Sequence, residues 1–205
     1  MEMTIRTFTP SELLVHYQSL RDDVSSRDFF NNPEHSKTQE IWCAAQFGLG
    51  YQAHISECQI RLEDEDAQTE VDFELLVSNR TFPFQITEVQ ELGRRRGDEY
   101  KKEDKNANWI NNDGLSGTDN NPILIKSAID KKAKKLYANS KNLNLLVYVN
   151  LATSTNYDIS SIKKESLESL DNFASVWLFL NIMAICSLKG NREIGFIPKV
   201  AFLNK

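Results

Sequence analysis

Between Thr69 and Val77 apolar and acidic residues alternate: Val71, Phe73, Leu75 and Val77 fall on one side, Glu70, Asp72 and Glu74 on the other. This alternation is that of a strand with one buried face. Ser78-Asn79-Arg80 turns the chain into another such run, Phe82 to Gln90, where Phe82, Phe84 and Ile86 oppose Pro83, Gln85 and Thr87. Together the two runs predict a β-hairpin. A further strand is expected before it, from about His54 to Leu62, and an apolar one after it, Leu143 to Leu151, with the composition of a central strand buried on both faces.

Helical signals bracket the strands. Thr9-Pro10-Ser11-Glu12 carries a cap, a proline at the first helical position and a capping-box acid, so a helix is predicted to about Leu20. Arg21 to Pro33 reads as a polar loop. Ser36-Lys37-Thr38-Gln39 repeats the capping pattern, and the helix it opens is expected to end near Gly48 and Gly50. On that helix Glu40 shares a stripe with Ala44 and Phe47. Asn121-Pro122 opens another helix, with Ile125, Ala128, Ile129, Ala133 and Leu136 on its buried stripe. The tail offers a helix near Ser161 to Leu170, a buried element from Val176 to Ile185 and a strand near Phe196 to Leu203.

The predicted order is α, α, β, β, β, α, β and a mixed tail, an α/β class with a mixed central sheet flanked by helices. The connection from the hairpin to the apolar strand is long enough for a crossover. One domain is expected for 205 residues, with 1–35 an N-terminal helical extension, 36–151 the core and 152–205 C-terminal additions. The polar segment from Gly93 to Asn121 interrupts the core and has the length of a functional loop.

Charge sharpens this picture. The net charge is −5, yet between Lys126 and Lys141 six lysines face Asp130 alone, which is +5 and leaves −10 for the rest. A basic face on an acidic chain suits nucleic acid, while the same lysines also suit the solvated face of a helix. Arg94, Arg95 and Arg96 are the other basic cluster. The most apolar stretch, Phe173 to Cys186, is shorter than a membrane span, and Met1 to Arg6 lacks the pattern of a signal peptide. Cys43, Cys58 and Cys186 have no paired spacing, so free thiols in a reducing, cytoplasmic compartment are expected rather than a disulfide framework or zinc ribbon. There is no GxGxxG, P-loop, HExxH or GxSxG, and His16, His35 and His54 lack ligand spacing. Trp42 and Trp109 could stack bases, although core packing is the ordinary role.

Asp72 and Gln85, on the polar faces of neighbouring strands, and Glu40, facing inward from the preceding helix, are the side chains that could converge on a hard divalent cation. A glutamate-bearing helix, a three-strand meander, a lysine-rich helix and an apolar strand together resemble the PD-(D/E)XK, restriction-endonuclease-like, nuclease superfamily over residues 36 to 151. Its pattern of aspartate, then acid-or-glutamine, any residue, lysine is matched by Asp72 and by Gln85-Ile86-Thr87, with Glu40 as the helical acid. The resemblance implies an αβββαβ core and Mg²⁺- or Mn²⁺-dependent phosphodiester hydrolysis, with Asp72, Gln85 and Glu40 holding the metal. Nucleic acid, expected to be DNA, would be gripped by Arg94 to Arg96 and by Lys131, Lys132, Lys134 and Lys135. No membrane partner is expected; a protein partner or a homodimer is compatible with the pattern. Thr87 stands where the family's lysine would be. Some members supply that lysine from the neighbouring helix, for which Lys131 and Lys135 are the candidates. Glu88 faces away from Asp72 unless a bulge turns it. The other reading is a catalytically inactive nuclease-like fold that binds nucleic acid or protein, as in a phage-host or mobile-element conflict.

Overall fold

The computed structural model describes residues 6–22, 24–62, 70–90, 121–135, 137, 140–151, 157–180, 184–190 and 200–202. The elements run β1 (Arg6–Phe8), α1 (Pro10–Asp22), α2 (Ser26–Asn31), α3 (Ser36–His54), β2 (Gln59–Leu62), β3 (Phe73–Val77) and β4 (Arg80–Val89). They continue with α4 (Asn121–Ala133), β5 (Asn144–Val149), α5 (Ile159–Leu170), β6 (Ser175–Leu180), β7 (Ala184–Lys189) and β8 (Val200–Phe202). The strands form one mixed sheet whose spatial order follows the chain from β1 to β8. β1 to β4 pair antiparallel, β4, β5 and β6 parallel, and β6 to β8 antiparallel. Each parallel pairing needs a crossover, and α4 and α5 supply the two.

Alternation along the central strands feeds two cores. Phe82, Phe84, Leu146, Tyr148, Trp177 and Phe179 face Leu13 of α1 and Cys43, Ala44 and Phe47 of α3. On the other face Val89, Leu145, Val147, Val149, Val176 and Leu178 meet Ile125 and Ile129 of α4 and Ile162 of α5. β5 is buried at every position, as the apolar run Leu143 to Leu151 predicts for a strand covered on both sides, and β6 is buried throughout as well. Among the described residues no helix is long and apolar enough to cross a membrane.

Several local expectations hold. The Thr9 hydroxyl accepts from Glu12 N–H at 3.3 Å while Glu12 Oε2 accepts from Thr9 N–H at 2.8 Å, closing the capping box. Ser78 and Asn79 take φ of 48° and 65°, the left-handed pair of a two-residue hairpin turn. The three cysteines are free and buried.

Others are corrected. Arg21 to Pro33 contains α2, capped by Ser25, whose hydroxyl accepts from Asp28 N–H. At the start of α3 the cap residue is His35, whose side chain makes no capping hydrogen bond and pairs instead with Asp28 Oδ2 at 3.2 Å. That helix continues past Gly48 and Gly50 to His54. Gly48 serves packing instead: a Cβ there would lie 2.6 Å from Ile60 Cδ1 and 3.0 Å from Pro10 Cγ, so its absence lets α3 approach β2 and α1. The buried run Val176 to Ile185 divides between β6 and β7, an antiparallel pair. Gly93 to Asn120, with Arg94, Arg95, Arg96 and Trp109, and Leu136 lie outside the described residues.

Candidate active site

The site forms where two strands part. β3 pairs with β4 only from Arg80 to Phe84 among the described residues, whereas β4 continues beside β5 to Val89. Beyond Phe84, β4 therefore turns amide groups toward an edge that no described strand occupies. Asp72, immediately before β3, fills the first place. Its N–H donates to Phe84 C=O at 2.8 Å, and its Oδ2 accepts from Ile86 N–H at 2.6 Å. The carboxylate thus does what a strand carbonyl would do one step further along the ladder. Val71, which alternation groups with Phe73 and Leu75, packs instead against the opposite core, because the regular strand begins only at Phe73.

The short turn fixes the register that sets Phe73 opposite Phe84, and this brings Asp72 beside Gln85. Gln85 Nε2 donates to Asp72 Oδ1 at 3.1 Å. The Gln85 carbonyl oxygen accepts from Lys132 Nζ at 2.5 Å and from Tyr137 Oη at 3.2 Å. Both lone-pair directions of that oxygen are thereby taken, so the amide serves as a bridge between carboxylate and ammonium rather than as a free ligand.

The lysine that reaches the site is Lys132, in place of the expected Lys131 or Lys135, which are exposed along with Lys134. Lys132 follows Ile125 and Ile129 at helical spacing, so it shares their buried stripe. Lys131 falls off the stripe, and Lys135 comes after α4 has ended at Ala133. Burial lowers the Lys132 pKa, with the Asp72 and Glu40 charges working against the shift.

Glu40 enters from the other face of the sheet, on the stripe with fully buried Ala44 and Phe47 that its spacing predicts. Burial raises its pKa, and the neighbouring Asp72 charge raises it further. Lys37 Nζ lies 3.4 Å from Glu40 Oε2, close enough for an ion pair, yet that oxygen is enclosed and has no hydrogen bond. Burial likewise raises the Asp72 pKa, against the Ile86 N–H bond and the Lys132 charge. Two carboxylates, presented from opposite faces of the sheet, are thus coupled through their charges.

A magnesium-like ion takes one or two carboxylates and completes its shell with water and substrate phosphate. Asp72 and Glu40, whose enclosed Oε2 has only the Lys37 ammonium at 3.4 Å for company, fit that demand; the Gln85 carbonyl, already engaged, adds nothing to it. Among the described residues no three His, Cys, Asp or Glu side chains cluster as a metal cage. No protein-family model, no curated protein and no solved structure matches the chain.

A cavity of about 360 Å³ opens beside Glu40. Its walls include Phe29, Phe30, Trp42 and Tyr148, together with Gln39 and Glu88. β4 pairs with β5 without a register shift, so no bulge turns Glu88 toward Asp72. It stands beside Tyr148 on the α3 face, and Asn150 Nδ2 donates to its Oε1 at 2.9 Å. Thr87 pairs with Val147, on the Gln85 face. Trp42 packs its ring 5.4 Å from both Tyr148 and Phe179. The histidines do other work: His16 stacks on Phe8, and His35 on Phe29. Burial pushes the Cys58 thiol up to about 12, far from a reactive thiolate.

The side chains that bond Gln85 are Lys132, expected only as a phosphate contact, and Tyr137, which the sequence reading did not single out. The signal for Lys132 was present, since a cation on an apolar helical stripe is directed inward. Tyr137 lies past the end of α4, where periodicity no longer specifies direction.

Proposed function

We propose that this chain hydrolyses phosphodiester bonds in nucleic acid, with Mg²⁺ or Mn²⁺ held by Asp72 and Glu40. The observation that carries the reading is Lys132, whose ammonium lies 2.5 Å from Gln85 Oε1 and is tied through that amide to Asp72. In the PD-(D/E)XK pattern a strand lysine stands two residues after the acid or glutamine. Thr87 has no charge, and α4 supplies the cation from across the same face. The order α3, β2, β3, β4, α4, β5 also supports an αβββαβ restriction-endonuclease-like core.

A bound divalent ion would supply Lewis acidity and lower the pKa of a coordinated water. The chain's own groups do the rest. Lys132 sets positive charge where negative charge grows on the scissile phosphate. Gln85 fixes Lys132 relative to Asp72, and Tyr137 holds the Gln85 carbonyl. Exposed Lys131, Lys134 and Lys135 continue the positive surface along which a DNA backbone would lie.

A second reading, an inactive nuclease-like module that binds nucleic acid or protein, draws on one observation. The engaged Gln85 carbonyl and the uncharged Thr87 leave, among the described residues, Asp72 and Glu40 as the carboxylates for a metal. The deciding experiment is a cleavage assay on single- and double-stranded DNA and RNA with Mg²⁺ and with Mn²⁺. Cleavage by wild type that disappears in Asp72→Asn, whose amide oxygen can still accept from Ile86 N–H, supports hydrolysis. Wild type inert on every substrate and metal, yet retaining nucleic acid in a shift assay, establishes the binding module instead.

A further inference from the structure

The hydrolytic reading uses Asp72, Gln85, Lys132 and Glu40 but leaves the cavity beside Glu40 without a role. Its walls combine three chemistries. Phe29, Phe30, Trp42 and Tyr148 present aromatic surface. Gln39 offers an amide that both donates and accepts. Glu88 offers a carboxylate whose Oε1 is held by the Asn150 amide at 2.9 Å. The volume, about 360 Å³, falls in the range of small-molecule sites.

Flat rings stack on aromatic walls, and a carboxylate in a half-enclosed cavity selects N–H donors. A nucleobase has both properties. Guanine fits best, because N1–H and the N2 amino group lie side by side and can share a carboxylate that Asn150 already orients, each carboxylate oxygen being able to accept more than one hydrogen bond. A quaternary ammonium would also suit aromatic rings with an acid, but it has no donor or acceptor for Gln39. Glu40 lines the cavity and is electrostatically coupled to Asp72. A base seated there would therefore have its own backbone close to the proposed cleavage edge.

We propose that this cavity is a nucleobase pocket, stacking an unpaired or extruded base on Phe30 and Trp42 and reading a guanine through Glu88 and Gln39. The proposal rests on the hydrolytic reading for its purpose: the base in the pocket would choose which phosphate is presented. It implies that the preferred substrate is single-stranded or locally opened nucleic acid, since a base inside a duplex cannot enter.

The test is metal-free, so it is independent of cleavage. The full chain is titrated by NMR with guanosine, uridine, ribose and tetramethylammonium. Guanosine is expected to bind at least tenfold more tightly than uridine, the scale of a hydrogen bond to a charged group (about 1.5–3 kcal/mol). Ribose is expected not to bind. Phe30→Ala should weaken every nucleoside about fivefold or more, the scale of one base–aromatic stack. Glu88→Gln should narrow the gap between guanosine and uridine, with thermal melts checking that both variants are folded. Equal binding of guanosine and ribose, or displacement of guanosine by equimolar tetramethylammonium, overturns the pocket. DNA cleavage without nucleoside binding removes the pocket and leaves hydrolysis standing; nucleoside binding without cleavage does the reverse.

Discussion

Two polar clusters hang on β4, and they are built to opposite specifications. At its paired end, fully buried Asn144 donates from Nδ2 to Pro83 C=O at 2.9 Å and accepts from Ser175 Oγ at 2.6 Å. Trp177 Nε1 donates to the same serine oxygen at 3.0 Å. Every group is neutral, and each named donor meets an acceptor. Pro83, which cannot donate to a ladder, sits where β5 has not yet begun pairing, and Asn144 takes up its carbonyl. At the open end, a few residues on, Asp72, Glu40 and Lys132 are all charged groups displaced by burial, and Glu40 Oε2 is left without a hydrogen bond. A satisfied neutral network joins strands; a partly buried, incompletely paired charge cluster at a sheet edge costs stability, which makes it the candidate for chemistry.

The sharpest way to break that contrast is at the closed cluster. Asn144→Ala leaves the Pro83 carbonyl and the Ser175 hydroxyl without their buried partner. A loss of about 2–4 kcal/mol is expected in urea unfolding, each orphaned buried group costing about 1–3 kcal/mol. A loss near zero would mean that this network is not what ties β4, β5 and β6 together. At the open cluster the loss belongs in activity. Lys132→Ala should lower metal-dependent cleavage about 100-fold, the scale of removing one preorganised group from a charged transition state. Lys131→Ala and Lys135→Ala should stay within about threefold. Equal effects from all three would reduce Lys132 to one member of a general basic surface.

Much of the contrast was legible in the chain, for a physical reason. The alternation around Phe73 and Phe84 marks the hairpin and puts Asp72 and Gln85 on polar faces, while the register that sets them side by side comes from the turn being two residues, Ser78 and Asn79, with Arg80 already paired. Glu40 was legible because Ala44 and Phe47 fix the direction of its helix face. What escaped depended on where regular structure ends. Lys135 looks equivalent to Lys132 until α4 stops at Ala133. The role of Asp72 depends on β3 starting at Phe73 rather than at Thr69, so that a side chain replaces a backbone carbonyl. Gly48 reads as a helix stop because its sequence neighbours do not reveal Ile60 and Pro10 packed against it.

The carboxylates sharpen the comparison through pH. Asp72 and Glu40 have pKa values raised in the folded protein, chiefly by burial. Such groups favour the folded state when protonated, and the penalty grows as pH rises above the ordinary carboxylate range toward the folded values. Glu40→Gln should therefore stabilise the metal-free protein at neutral pH by about 0.5–2 kcal/mol, the range of single stabilising substitutions. That gain should shrink as pH falls below about 4, where the glutamate of the unfolded chain is itself protonated. Urea unfolding at neutral and acid pH checks it; a gain that persists in acid would assign the effect to packing rather than charge. Addition of Mn²⁺ should close the gap from the other side, by stabilising wild type more than the variant.

The smallest expected effect tests whether one cation suffices. Position 87 shares the Gln85 face of β4, where the PD-(D/E)XK pattern puts its lysine. In wild type Lys132 already brings an ammonium to that face, so Thr87→Lys should alter cleavage by no more than about threefold, the new cation being largely redundant. In a Lys132→Ala background the vacated charge can be restored from the strand, and the same substitution should recover about tenfold of the roughly 100-fold lost. Recovery should be partial, because Gln85 bonds Lys132 at 2.5 Å and would have to turn its carbonyl to meet a lysine from its own strand. The measurement is a double-mutant cycle in cleavage rate, with coupling between positions 87 and 132 as the readout. Additivity, with Thr87→Lys neutral in both backgrounds, would mean that the lysine's role depends on its approach from α4 and that the strand position is not its equivalent.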